Sequence, residues 1–285
     1  METIGSRKNP LVTLMRRVAA GDAEERGRVL LDGLHLVQEA RAAGVPISAA
    51  AFASKLLATP DGLARRLATT LAGLGCRVVQ VSDAVMEAMS PVSTPSGVVA
   101  LATRPRHDLP ALVPTGPAAP RAALIVVAVD VQDPGNIGAM IRAAEAGGAT
   151  GFVSAGVSAD PFGWKALRGA MGSAFRLPVV REPDTASVLK TLKDAGVRLL
   201  ATVPDARLPF DAVDLTQSCA LLLGGEGPGL APELQALADA SIAIPMQEPV
   251  ESLNVASAAA LLIYEARRQR VHAARREPAL PFAPA

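Results

Sequence analysis

The sequence is poor in rings, thiols and imidazoles. Aromatic residues make up 3% of its 285 positions, with one Trp and one Tyr. That scarcity argues against a surface built to stack several unpaired bases. The histidines, His35, His107 and His272, are scattered without ligand spacing, and Cys76 and Cys219 have neither a CxxC partner nor a neighbouring histidine. No metal site is expected from them. Each cysteine opens an apolar run (CRVVQV, CALLLG) and reads as a buried thiol. Net charge is equally thin: the formal value is +1, which announces no bulk attraction for nucleic acid. Any RNA contact has to come from local arginine clusters and backbone amides. No uninterrupted apolar run is long enough to span a bilayer, and the first residues lack a basic-then-apolar leader. The chain is expected to be soluble and cytoplasmic.

What is plentiful is apolar sequence in strand and helix patterns. Half of the residues are hydrophobic, enough for a sizeable core, and the length fits two moderate domains. Residues 28–44 (RVLLDGLHLVQEARAAG) read as a short strand, a glycine turn and an amphipathic helix, with Leu34, Val37 and Ala40 at helical spacing and Gly44 as the stop. ISAAAF, CRVVQV and TPSGVVALAT read as further strands, with helices over 63–74 and in DAVMEAMS. The stretch RPRHDLPALVPTGPAAPR is rich in proline and alanine, lacks a period, and reads as a linker. Beyond it, the strands ALIVVAVD, GFVSAG, RLPVV, VRLLATV, CALLLG and IAIP alternate with helices, which argues for a mainly parallel sheet. The expected organisation is an α/β domain over 1–104, a linker over 105–120, a second α/β domain over 121–272, and a disordered tail over 273–285.

Three polar, glycine-bearing islands each follow an apolar, β-prone run: VQDPGNIGAMIRAAEAGGA (131–149), LLLGGEGPGL (221–230) and IPMQEPVESLNVASAAALLIYEARRQ (244–269). Open α/β sheets bind ligands at the carboxyl edge of their strands, so these loops are expected to gather there. In the first island, Gly135 and Gly138 permit a tight turn and close approach of a ligand. Asn136 both donates and accepts, and free amides at a helix start favour phosphate. Arg142 follows about 1.7 turns later at 3.6 residues per turn. Taken alone, the island is as readily a structural turn followed by a solvated arginine. In the second island glycines surround Glu226. It is no Walker loop, since no GK[ST] follows, and neither island fits GxGxxG, which disfavours a nicotinamide fold. A lone carboxylate there is more often solvated, or a helix cap, than catalytic. In the third island Ser252 is either a helix cap or a chemical group. The small residues Ala256, Ser257, Ala259 and Ala260 suit a buried helix or a subunit contact.

Together, in this order and spacing, the islands resemble the three motifs of the SpoU (TrmH-type) RNA 2′-O-ribose methyltransferases of the SPOUT class. The likeness covers about residues 28–270. LLDGLHLVQEARAAG and SDAVMEAMSPVSTPSGVVALAT are similar to the substrate-binding domain that precedes the catalytic domain in many members. The resemblance implies a C-terminal α/β domain with a deep trefoil knot, S-adenosylmethionine bound bent inside that knot, and a homodimer formed through this domain. It implies cofactor contacts from Thr202, from Gly224, Gly225, Glu226 and Gly227, from Ile244 and Met246, and from Ser252, Leu253 and Asn254. Gly224, Ile244 and Leu253 match the backbone contacts. The motif positions associated with chemistry are Asn136, Arg142, Glu226, Ser252 and Asn254, all present here.

Methyl transfer is an in-line displacement that gains much from alignment, and the attacking ribose hydroxyl must lose its proton. No histidine lies in any motif, and free deprotonation of an arginine, with a pKa above about 12, is costly. Arg142 is therefore expected to grip the phosphate beside the target ribose, with a proton relay through that phosphate or Ser252. Asn136 would orient Arg142 or the ribose, Glu226 would hold Arg142 or a loop amide, and Asn254 would fix the turn shaping the pocket. RNA capture is expected from Arg7, Lys8, Arg16 and Arg17, and from Lys165, Arg168 and Arg176, although ordinary solvated charge explains each cluster equally well. The expected function is S-adenosylmethionine-dependent 2′-O-methylation of RNA, with ribosomal favoured over transfer RNA. The competing readings are a tRNA methyltransferase and a non-catalytic RNA-binding or ribosome-assembly factor of the same fold.

Overall fold

A computed structural model describes residues 1–114 and 122–276. Packing sorts them into two units that do not follow the chain in one pass. The first holds Met1–Arg106 together with Pro134–Arg142 and Ala159–Arg176, and the second holds His107–Asp133, Ala143–Ser158 and the described residues from Leu177 onward.

The N-terminal elements are β1 (Glu2–Ile4), α1 (Pro10–Ala20), β2 (Arg28–Asp32), α2 (Leu34–Ala42), β3 (Ile47–Ala53), α3 (Ser54–Leu57), α4 (Leu63–Gly73), β4 (Arg77–Val81), α5 (Asp83–Met89) and β5 (Val98–Thr103). Their sheet has the order β1-β4-β3-β5-β2. It is mixed: β4 runs parallel to β1 and β3, while β5 runs antiparallel to β2 and β3. The sequence reading gives no element before Arg28, yet α1 is well specified. Asn9 Oδ1 accepts from Leu11 N at 2.9 Å, Pro10 opens the first turn, and Gly21, at φ 75°, ends the helix. Leu11, Val12 and Met15 then bury against Ile4, Leu30 and Val79. At the end of β2 the buried carboxylate of Asp32 accepts from Ser90 Oγ at 2.6 Å.

The remaining elements are β6 (Leu124–Val129), α6 (Pro134–Gly147), β7 (Gly151–Ala155), α7 (Trp164–Ala170), β8 (Val179–Glu182), α8 (Thr185–Asp194), β9 (Arg198–Thr202), β10 (Leu208–Pro209), β11 (Cys219–Gly224), α9 (Pro232–Gln235), β12 (Ala240–Ala243) and α10 (Val255–Arg276). The strands form one sheet of order β10-β12-β9-β11-β6-β7-β8, parallel at every pairing. Every residue of β6 is buried, as befits a central strand covered on both faces. Because β12, β9, β11 and β6 are consecutive neighbours pointing one way, the loops leaving their carboxyl ends share one edge. Gly224 and Val129, the last residues of β11 and β6, are register partners.

Two expectations change at the domain margins. Part of the expected linker is ordered core: Leu109–Leu112 form a 3-10 turn, and Leu112 is fully buried with Thr150 Oγ1 donating to its carbonyl at 2.8 Å. Residues 273–276 of the expected disordered tail belong to α10, which continues to Arg276. Residues 115–121 of the expected linker and 277–285 of the expected tail lie outside the described residues. Arg270 anchors α10 by donating to the carbonyls of Ala122, Ala123, Leu215 and Gln217 at 2.7–2.8 Å. Among the described residues no helix is long and apolar enough to cross a membrane.

Candidate functional site

β11 is nearly pure leucine, and burying Leu221, Leu222 and Leu223 delivers Gly224 to the carboxyl edge of the sheet. There the chain reverses at once. Gly225 and Gly229 pair as an antiparallel bridge, with Glu226, Gly227 and Pro228 at the turn. Side chains are excluded by contact. A Cβ on Gly224 would lie 2.2 Å from the carbonyl carbon of Gly229, and one on Gly225 would lie 2.2 Å from the carbonyl oxygen of Asp130. Gly227 and Gly229 have φ of 94° and 66°, the left-handed region that glycine occupies freely.

This loop forms one wall of a cavity of about 430 Å³, within the usual range of ligand pockets, about 300–1,000 Å³. Gly224, Gly225, Glu226 and Gly227 line that wall; Thr202 comes from the end of β9, Ile244 and Met246 follow β12, and Ser252, Leu253 and Asn254 precede α10. These ten positions are the ones the family resemblance implies as cofactor contacts, and they line a single cavity. Leu223 and Gly229 of the second island and Val255 and Ala258 of the third also line it, as do Val203 and Pro204, which lie in no island. Among the described residues Glu226 is the one charged side chain in the lining.

Two polar groups give the cavity its character. Thr202 Oγ1 is buried and has no hydrogen-bond partner among the described residues. Leaving such a group unsatisfied costs about 1–3 kcal/mol, which a ligand acceptor or donor would recover. Asn254 caps α10: its Oδ1 accepts from Ala256 N at 3.0 Å and Ser257 N at 3.3 Å. The capping alternative considered for Ser252 is thereby corrected, since Ser252 is exposed and lies two residues before the true cap.

The first island leaves β6 through a turn that the sequence reading ran into the strand. Asp130 adopts φ 58°, and its carboxylate accepts from Val157 N at 2.9 Å. Ser158, 2% exposed, accepts from Val131 N and donates to the Ala128 carbonyl. An aspartate closing an apolar run was the only available signal. Asn136, half-buried, and Arg142, exposed, lie on the part of α6 that packs in the first unit. Neither lines the cavity.

The cations proposed for RNA fare unequally. Arg7, Arg16 and Arg17 line one hollow of about 880 Å³ together with Trp164. Arg17 is committed within it, to Asp22 at 2.8 Å and to Glu24 and Glu25, so it is not a free contact. Arg7 donates to the Ala84 carbonyl at 3.0 Å and lies 4.0 Å from Glu87. Lys8, Arg16 and Arg168 are exposed. Lys165 Nζ sits 5.5 Å from the centre of the Trp164 ring, and Arg176 pairs with Glu39. Burial pushes the Cys76 thiol up to about 11 and raises that of Cys219 as well, so both stay protonated and inert near neutral pH. Among the described residues no His, Cys, Asp or Glu cluster could hold a metal ion.

Comparison with known proteins matches this arrangement at both ends. Residues 123–264 match the SpoU rRNA Methylase family, and residues 22–100 match the MRM3-like substrate binding domain. The Bacillus subtilis (strain 168) protein named 23S rRNA (guanosine(2553)-2'-O)-methyltransferase RlmP is 32% identical over 94% of this chain and 100% of its own. An AdoMet-bound rRNA methyltransferase from Sinorhizobium meliloti superposes with a TM-score of 0.81 at 28% identity, over 94% of this chain and 97% of that one. The SpoU methyltransferase AviRb from Streptomyces viridochromogenes, in complex with AdoMet, gives 0.79 at 28% identity over 93% and 100%. With a mostly parallel α/β fold, a substrate-binding domain ahead of it and relatives matched over nearly their whole length, this chain belongs to the SpoU rRNA Methylase family.

Proposed function

We propose that this chain is an S-adenosylmethionine-dependent methyltransferase acting on a ribose 2′-hydroxyl of ribosomal RNA. The observation that carries the reading is the cavity at the sheet edge, where three separate loops supply a glycine cradle and an unpartnered buried hydroxyl. The residues present fit the cofactor. Leu223, Ile244, Met246, Leu253 and Val255 offer apolar walls, while Thr202 and the loop backbones offer polar edges. When bound, S-adenosylmethionine supplies an electrophilic methyl group on a sulfonium centre. The names of the Bacillus, Sinorhizobium and Streptomyces relatives support both the donor and the ribosomal substrate.

Arg142 grips the phosphate next to the target ribose, so alignment rather than strong base chemistry lowers the barrier. Asn136, six residues before Arg142 in α6, orients Arg142 or the sugar. The ribose proton leaves through that phosphate or through Ser252, and Glu226 steadies Arg142 or a loop amide. Asn254, by capping α10, keeps Ser252 and Leu253 at the cavity wall. Arg7, Lys8, Arg16, Lys165 and Arg168 contribute phosphate contacts that position the RNA without reading its sequence. The enzyme works in the cytoplasm as a homodimer through its second unit. Leu261, Tyr264 and Val271, exposed by 40–51% along α10, support that surface as one covered by a second copy. The C-terminal chain is proposed to form a trefoil knot. Two features support this: the insertion of β9 between β12 and β11, and the return of α10 onto β11.

Calorimetric titration with S-adenosylmethionine tests the donor, and mapping of 2′-O-methyl sites in total RNA with and without the gene tests the acceptor. Sites lost on deletion should return with the wild-type gene and not with Arg142→Ala. A well-folded protein that takes up no S-adenosylmethionine would be the idle RNA-binding factor instead.

A further inference from the structure

The segment Ala159–Arg176 follows β7, yet it packs in the first unit, pinned at both ends. At its front, Arg104, just beyond β5, forms a two-pronged pair with Asp160: Nη1 to Oδ2 and Nη2 to Oδ1, each 2.7 Å. The arginine side chain is only 18% exposed, and its guanidinium lies 4.8 Å from the centre of the Phe162 ring. Asp160 Oδ1 also accepts from Phe162 N at 2.9 Å. At its back, Arg176 pairs with Glu39 of α2, and Gly172 is pressed so close that a Cβ there would lie 2.6 Å from the Glu39 Cβ. Between the pins, α7 packs against β2.

α7 then meets α6 with glycine against glycine. A Cβ on Gly138 would lie 2.4 Å from the Ala166 carbonyl oxygen, and one on Gly169 would lie 3.2 Å from the Gly138 Cα. Backbones in direct contact have no side-chain cushion, so a displacement of α7 is passed on to α6. Arg142 lies one helical turn beyond Gly138. A two-pronged, largely buried arginine–carboxylate pair fixes direction as well as distance, which an exposed single contact does not.

We propose that Arg104 and Asp160 are positioning residues for methyl transfer, which set the placement of Arg142 through α7 and the first turns of α6. The proposal rests on Arg142 being the group that aligns the acceptor. Neither Arg104 nor Asp160 is among the residues that line the donor cavity. Misplacing an aligning group by about an ångström costs on the order of 100-fold in rate.

The test uses the full chain and ribosomal RNA purified from cells lacking the gene. Arg104→Lys, Asp160→Asn and the exchange Arg104→Asp with Asp160→Arg are compared for kcat, KM for RNA, calorimetric affinity for S-adenosylmethionine, and hydrogen exchange. The single variants should lose about tenfold or more in kcat, with donor affinity held within about twofold. Amides of residues 134–142 and 164–170 should exchange faster while those of β6 do not change, and the charge exchange should restore part of the rate. Unchanged kcat in the single variants would overturn the proposal. So would a parallel loss of donor affinity and protection across the chain, which marks a general stabiliser. If the wild type itself transfers no methyl group, the functional reading fails, and unchanged exchange over 134–142 in the variants would still refute the mechanical link.

Discussion

Substituting Gly224 by alanine strikes the cradle at its tightest point. The added Cβ would lie 2.2 Å from Gly229 C, 2.4 Å from Leu230 N and 2.6 Å from Gly229 O. Ordinary carbon–carbon contact begins near about 3.5 Å, so the loop must retreat by more than an ångström or its bridge must open. All three atoms belong to backbone, and no flexible side chain can swing aside. Overpacking of this kind costs about 1–3 kcal/mol, and at about 2–4 °C per kcal/mol the melting temperature should fall by about 2–12 °C. The same retreat moves Gly225, Glu226 and Gly227, which line the cavity. Affinity for S-adenosylmethionine should therefore drop about tenfold or more, equivalent to about 1.4 kcal/mol. Thermal unfolding and calorimetric titration of the same preparation read the two effects separately. A variant that melts lower but binds the donor at wild-type strength would refute the claim that this glycine loop is a ligand wall.

Two further substitutions separate stability from binding. Thr202→Val removes the unpartnered buried hydroxyl while keeping its shape, so stability in urea should hold or rise by about 1 kcal/mol as donor affinity falls several-fold; a fall in stability with intact affinity would count against the ligand role of Thr202. Asp32 has its carboxyl raised above the ordinary range, first by burial, against the opposing effects of the Ser90 hydrogen bond and the charge of Arg168. The folded chain thus holds that proton more tightly than the unfolded chain. Its contribution is favourable below about pH 4 and is lost as pH rises through the raised value. Asp32→Asn keeps an acceptor for Ser90 and should flatten this loss as pH rises above about 4 through the raised value; identical slopes of urea midpoint against pH in both proteins would contradict it.

The site was more legible in the sequence than the packing around it. Each island announced itself by a local contrast, a buried-strand run such as LLLG breaking into glycines and one carboxylate, and parallel strands bring such breaks to one edge whatever their order. The order itself, with β9 between β12 and β11, left no periodic trace because it is fixed by pairings between distant segments. α1 was missed although Asn9, Pro10 and Gly21 form an adequate start and stop, because Arg7, Arg16 and Arg17 drew the reading toward charge and away from Leu11, Val12 and Met15. The choice between Ser252 and Asn254 as cap could not be made from residue type, since both accept from helix amides. It is decided by where the preceding loop ends. Least legible was the grouping of Ala159–Arg176 with the first unit, since Arg104 and Asp160 lie 56 residues apart and neither has a distinctive neighbourhood.

A chain with so little net charge must divide its labour between two kinds of recognition. Among the described residues the cavity has a single charged side chain, Glu226, and is otherwise glycine, apolar side chains, the hydroxyls of Thr202 and Ser252, and the amide of Asn254. Such a surface selects by shape and by hydrogen bonds at short range, neither of which is screened by ions. Of the cations proposed to meet RNA, the exposed Arg16, Arg142, Lys165 and Arg168 belong to the first unit. Their attraction for phosphate works through counterion release, so it weakens steeply as salt is added. The proposed enzyme would then hold its donor almost independently of ionic strength while its grip on RNA fades. The ratio of the two responses measures how far the chemistry of the cavity is insulated from the capture of the substrate.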